Sequence, residues 1–204
     1  MGNNNTASNM ITVNSVLGNI RRDKPMQERY RQMSARSMTE IVRIHRMESQ
    51  RVRMRKSTDK GTDIAITLPP GSRLRHGDVV LLADNRMVVV ELEPERVAVV
   101  KIKRDTLHGR HSNHSRSHDH EHGHHHHHDD EDNMLLQIPV RIGHTIGNLH
   151  RPIKLEGDRI YFPIQAESEL DMFRKLFGHM NEHLEISGDK IVFEPEEGMD
   201  VHEH

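Results

Sequence analysis

From 108 to 132 the chain runs without a single apolar side chain. No packed core can be built from such a stretch. Any globular structure therefore has to close on either side of it. Eleven of the 19 histidines lie between His108 and His128, and the acids Asp129, Asp130, Glu131 and Asp132 follow directly. Patterned sequence resumes after them. The expectation is a disordered His/acid-rich insertion, 108–132, inside a domain rather than a tail. It also accounts for an overall hydrophobic content of only 33% in 204 residues, a low share for one fully packed chain.

The absence of cysteine excludes disulfide scaffolds, thiolate zinc sites, iron–sulfur clusters and cysteine nucleophiles together. No apolar run approaches the ~18–20 residues of a membrane helix. The polar start, 1–9, does not resemble a secretory signal. These features predict a cytoplasmic protein without membrane contact, with 1–9 a flexible lead-in and Met10 an alternative start. The formal net charge of −2 counts histidine as neutral. Near pH 6.5 about half of any exposed imidazoles are protonated, so the real charge varies steeply there. Residues 21–60 hold 13 Lys/Arg against five Asp/Glu. With one aromatic and no recognition motif, that stretch reads as a solvated or partner-facing surface, not a nucleic-acid site.

Periodicity divides the rest. Ile11, Val13, Val16, Leu17 and Ile20 suggest a short strand or edge, and 23–38 a flexible insertion or loose helix. Period-two segments at 41–44, 52–56 and 63–68 and further strands at 79–83 and 87–92, separated by Asp59-Lys60-Gly61, Pro69-Pro70-Gly71, His76-Gly77-Asp78 and Asp84-Asn85, predict a small all-β domain over 10–94. A second domain, 95–199, opens with a continuous apolar strand at 97–102. A helix is expected within 134–147, with Pro139 near its first turn and limiting it to about Val140 onward. Next come a strand pair at 152–155 and 159–162, then a helix capped by Ser168 that presents Leu170, Phe173 and Phe177 and ends at Gly178. The last short strands, 184–186 and 191–193, flank Ser187-Gly188-Asp189. The order β-α-β-β-α-β is the ferredoxin-like arrangement, so the fold class is α+β. Residues 200–204 read as a flexible tail.

Imidazole suits Ni²⁺, Cu²⁺ and Zn²⁺. In the tract, His108, His111, His114, His118, His120, His122, His124, His125, His126, His127 and His128 offer many ligand combinations and no fixed geometry. That describes a metal reservoir, not a catalytic centre, which needs ligands held rigidly by their surroundings. Its internal, irregular pattern argues against a purification tag. A single histidine elsewhere has a better-defined setting. In Gly147-Asn148-Leu149-His150-Arg151-Pro152 a helix ends in an αL-tolerant Gly-Asn pair, and His150 stands at the corner before a strand. One imidazole cannot hold an ion well, but a twofold homodimer brings two copies to its axis. His144, six residues earlier, does not share a helix face with His150 and is a subsidiary metal candidate, with a surface or core role as the plain alternative. His179 and His183 read as surface residues, and His76 and His45 as solvent-facing.

Several segments together resemble one family, the urease accessory metallochaperones of the UreE type. They are Met10-Ile11-Thr12-Val13 with Val16-Leu17-Gly18-Asn19, Gln50-Arg51-Val52-Arg53, Leu68-Pro69-Pro70-Gly71, and Leu74-Arg75-His76-Gly77-Asp78. Ile146-Gly147-Asn148-Leu149-His150-Arg151-Pro152, Asp171-Met172-Phe173-Arg174 and Phe193-Glu194-Pro195-Glu196 complete the set. The resemblance implies an N-terminal domain that contacts protein partners and a ferredoxin-like domain that dimerises around His150. It further implies Ni²⁺ delivery to urease apoprotein through other accessory proteins, including a GTPase. It is the resemblance that names nickel, because by ligand chemistry Cu²⁺ binds imidazole at least as tightly and Zn²⁺ competes. Two departures stand out. The family often carries its histidine-rich segment at the C-terminus, where this chain has only His202-Glu203-His204, read as mobile auxiliary ligands. A His-x-His pair found in some members before the second helix is replaced by Pro163-Ile164-Gln165-Ala166-Glu167.

The expectation is thus a non-enzymatic, dimeric nickel metallochaperone. A histidine-rich storage or buffering protein without a delivery partner is the alternative. A metal-dependent hydrolase is disfavoured, because no spacing supplies three fixed ligands and a base within one chain.

Overall fold

In a computed structural model the described residues are 10–103 and 128–195, with only the backbone described for 128–136. The chain divides into two compact units, one ending at Pro94 and the other beginning at Glu95.

Among the described residues the first unit holds seven strands. They are β1 (Ile11–Val13), β2 (Gly18–Asn19), β3 (Thr39–Ile44), β4 (Arg53–Ser57), β5 (Asp63–Thr67), β6 (Asp78–Ala83) and β7 (Arg86–Leu92). They form two sheets, β1-β5-β4 and β2-β6-β7-β3, with β1 parallel to β5 and β3 parallel to β7. The alternation expected at 63–68 is observed, with Ile64 and Ile66 fully buried on one face. The unit is not all β. Residues 24–35, within the stretch expected as a flexible insertion or loose helix, form a 12-residue helix, α1 (Lys24–Ala35), with Pro25 in its first turn. Met33 packs with Val79, Met87 and Val89, and Ile20, Met26, Tyr30 and Met38 flank them. Helix α1 ends in a left-handed Ser37 (φ 56°), with Met38 N–H donating to the Met33 carbonyl. Val88 and Val90 on the other side of β7 are also buried, which explains why that strand is apolar without alternation.

Two motifs far apart in sequence meet in this unit. Asn19 pairs with Asp78 in the β2–β6 ladder, and its side-chain amide donates to Asp78 Oδ1 at 2.8 Å and to the His76 carbonyl at 3.1 Å. Asp78 Oδ2 accepts from Arg75 N–H at 2.7 Å. Gly77 has φ 89°, and a Cβ there would lie 3.1–3.2 Å from Arg21, Asn19 and Ile20. The Leu-Gly-Asn and His-Gly-Asp strings are therefore a fastening of the fold. The His76 ring is half-buried rather than solvent-facing, and its Nδ1 accepts from Leu92 N–H at 3.2 Å.

The second unit runs β8 (Glu95–Ile102), α2 (His128–Asn148), β9 (Lys154–Glu156), β10 (Arg159–Pro163), α3 (Glu169–Phe177) and β11 (Leu184–Ile191). All its pairings are antiparallel and the sheet order is β11-β8-β10-β9. This is the ferredoxin-like topology expected from the element order. Ile138, Ile142 and Ile146 of α2 and Leu170, Phe173 and Phe177 of α3 cover Ala98, Val100 and Phe162. The Phe162 and Phe173 rings meet edge to face at 4.5 Å. On the opposite sheet face Phe193 packs with Val97, Val99 and Tyr161. Strand β8 is thus covered on both faces, as its continuous apolar run required.

Three local expectations need correction. Pro139 lies inside α2, not in its first turn. Interior proline costs about 3 kcal/mol, but burying one isoleucine contributes about 1.5–3 kcal/mol, and three of them lie along this helix. Residues 128–132, expected within the disordered insertion, belong to the same helix. Ser187-Gly188-Asp189 is not a turn, because β11 runs straight through it opposite Val99, Ala98 and Val97. Gly188 is where a Cβ would press on Leu170 Cδ1 at 3.3 Å, so this glycine permits a close helix–sheet approach.

Candidate metal site

The corner between α2 and β9 carries His150. Its amide donates to the Gly147 carbonyl at 2.9 Å, and Arg151 N–H reaches the Ile146 carbonyl at 3.4 Å. This bond pair is the Schellman ending of a helix, and His150 occupies its left-handed position with φ 51°. The left-handed residue is therefore the histidine itself, not Gly147 or Asn148, which continue the helix. Glycine is the usual occupant, because a side chain there crowds the following carbonyl.

The following residues hold the corner in place. Arg151 Nη1 donates to the Pro163 carbonyl at 2.9 Å, and Nη2 meets Glu169 Oε2 at 2.6 Å. Both side chains are largely shielded from solvent. The other carboxylate oxygen of Glu169 accepts from the amides of Gln165 and Ala166 at 2.5 and 3.1 Å. Ser168, expected to cap α3, has helical dihedrals and makes no capping bond; Glu169 binds those preceding amides instead. Pro152 is buried, and Ile153 packs against the core. The His150 backbone is fixed from both sides while its imidazole is exposed. Neither ring nitrogen has a hydrogen-bond partner among the described residues, so both are open to a ligand.

His144 is also exposed, one turn before Asn148, whose Nδ2 lies 2.9 Å from His144 Nε2. His179 stands in the 3-10 segment after α3 with Nε2 3.4 Å from Arg141 Nη1. His183 is mostly buried beside Glu182, unlike the surface position expected for it. His45 Nδ1 lies 3.2 Å from Glu93 Oε2. Among the described residues no three His, Asp or Glu side chains gather into a metal-binding group. A complete site built on His150 therefore needs ligands from a second copy or from outside the described residues. The reservoir histidines His108 to His127, and His202 and His204, lie outside them. His128 is the first residue of α2.

Arg151 and Glu169 support the corner, and sequence reasoning did not identify that pairing. Arg151 was visible in the motif, but its partner is 18 residues away and joined by no periodicity. Among the described residues no helix is long and apolar enough to cross a membrane.

Residues 13–93 match the family model described as the UreE urease accessory protein, N-terminal domain. Among curated proteins, the urease accessory protein UreE of Natronomonas pharaonis is 26% identical, over 88% of this chain and 69% of the relative. That of Yersinia aldovae is 25% identical over 96% and 80%, and UreE 1 of Pseudomonas syringae pv. tomato 23% identical over 82% and 92%. The first unit thus matches by family model, and the curated alignments extend through the unit that carries the His150 corner: along most of its length the chain is similar to the urease accessory proteins UreE.

Proposed function

We propose that this protein is a nickel metallochaperone that carries Ni²⁺ to urease apoprotein during metallocentre assembly. The observation that carries this reading is the geometry of His150: an exposed imidazole with both ring nitrogens open, on backbone fastened by a helix ending and a shielded Arg–Glu pair. Two such residues across a twofold axis hold one ion between identical surfaces. His202 and His204 complete the coordination, the 108–128 tract collects metal, and the first unit contacts the other accessory proteins, among them a GTPase. Transfer is associative: incoming ligands displace the auxiliary histidines one at a time, so the ion is never free in water. Because imidazole must be neutral to coordinate, protons compete with the ion for these ligands. Similarity to the urease accessory proteins UreE supports the urease assignment, and it rather than ligand chemistry favours nickel over Cu²⁺ or Zn²⁺.

Calorimetry tests the central claim. The wild-type chain is expected to take its tightest ion at one per two chains, and His150→Ala is expected to lose that step while the weaker, multiple binding persists. Retention of the tight step in His150→Ala would overturn the assignment.

A further inference from the structure

Strand β11 is an edge of its sheet, and residues 187–190 along it are exposed. In an antiparallel ladder, residues bonded to the neighbouring strand alternate with residues whose amide and carbonyl point away. Lys103 N–H donates to the His183 carbonyl, one step beyond the Leu184–Ile102 pair. The main-chain groups of His183 therefore face β8, as do those of Glu185, Ser187 and Asp189. Ile186, Gly188 and Lys190 turn theirs outward. Two of these outward groups are taken by side chains. The Ile186 carbonyl accepts from Arg174 Nη2 at 3.1 Å, and Arg174 Nη1 is held by Asp171 Oδ1 at 2.6 Å. The Lys190 amide donates to Asp189 Oδ1 at 2.7 Å. Between them Gly188 is exposed, and its N–H and C=O have no partner among the described residues.

The outward groups are self-complementary. Two copies of β11 set antiparallel about a twofold axis at Gly188 would match Gly188 with Gly188 and Ile186 with Lys190, each pair exchanging both of its N–H···O bonds. In that register the Lys190 amide of one copy meets the Ile186 carbonyl of the other, and these are the two groups already occupied. We propose that Arg174, steered by Asp171, and Asp189 close the β11 edge against pairing with β11 of a second copy. An unguarded edge is a template for such pairing. The Asp171-Met172-Phe173-Arg174 string then serves twice. Phe173 fills the core, and the charged residues at its ends fasten the edge. None of these residues belongs to the candidate metal site, so the guard stands or falls apart from the nickel reading.

Sedimentation of the metal-free full chain over a concentration series tests this. Arg174→Ala combined with Asp189→Ala is expected to form species of twice the wild-type mass at matched concentrations. Adding Lys190→Pro removes an outward N–H and leaves the β8 ladder intact, so it should reverse that step. Amide exchange locates the contact. Gly188 N–H should exchange freely in wild type and lose that exchange in the associated double variant. Wild-type masses in the double variant would overturn the proposal. So would larger species that persist with Lys190→Pro or that leave Gly188 exchanging freely. A Gly188 amide already protected in wild type would overturn it too, whether or not the variants fold.

Discussion

At the scale of single residues, His150 combines an unfavourable backbone with an unencumbered side chain. A non-glycine residue in the left-handed region costs about 1–2 kcal/mol. Ser37 makes the same helix ending after α1, so the conformation alone is not a mark of function. What differs at His150 is the fastening by Arg151, Glu169 and Pro152 beside an exposed imidazole. His150→Gly separates the two properties. It relieves the strain but adds freedom to the unfolded chain, so a net gain of about 0.5–1 kcal/mol is expected. Denaturant midpoints would show a more stable protein, and calorimetry one that has lost its tight ion. A glycine variant less stable than wild type would mean that the histidine ring itself holds the corner. Sequence placed the left-handed position at Gly147-Asn148 because those residues tolerate it best. The left-handed position falls two residues beyond Asn148, at His150, since Ile146 is buried and the final turn closes around its carbonyl.

At the scale of elements, legibility followed burial. The βαββαβ order could be read because β8, α2 and α3 each bury long apolar runs or stripes. Helix α1 was read as loose because most of its residues are polar, yet Met26, Tyr30 and Met33 hold the i, i+4, i+7 spacing that seats it. Gly188 was read as a turn because glycine serves both turns and close approaches, and only the position of Leu170 distinguishes them. The turn between β3 and β4 shows a fastening that pairing at a distance supplies. Glu48, in the 3-10 turn Arg46–Gln50, contacts Lys56 Nζ of β4 at 2.7 Å and accepts from His45 N–H at 3.0 Å. The hydrogen bond from the Lys56 ammonium holds the Glu48 carboxyl below its ordinary value; burial opposes this, and the His45 amide and Lys56 charge add to the lowering. A carboxylate with a lowered folded-state pKa contributes stability above the unfolded glutamate value of about 4.3. That contribution declines as pH falls through the folded value. Denaturant midpoints of wild type and Glu48→Gln should therefore differ by a constant amount from neutral pH down to about 5 and converge in more acid solution. A difference that grows on acidification would reverse the sign assigned to this pair.

At the scale of the whole molecule, the residues that dominate the composition and those that define the site are different ones. Eleven histidines crowd 108–128, but no order among them is needed for a reservoir. In the proposed carrier their number would set capacity, and local concentration of imidazole the rate at which ions are captured. His150 would set where an ion is presented for transfer. Delivery and storage give opposite dependences on the tract. Replacing the ten histidines from His108 to His127 by serine keeps the length of the insertion and removes its ligands. If the protein delivers metal, equilibrium dialysis should show several fewer ions per chain, while the tight ion shared by two chains keeps its affinity. Urease activation in cells should then fall only when nickel is scarce, because ample nickel loads the His150 site directly. If the protein only stores metal, activation should be indifferent to His150→Ala and track the tract at every nickel concentration. The two variants compared across a nickel series therefore distinguish a carrier with a reservoir attached from a reservoir alone.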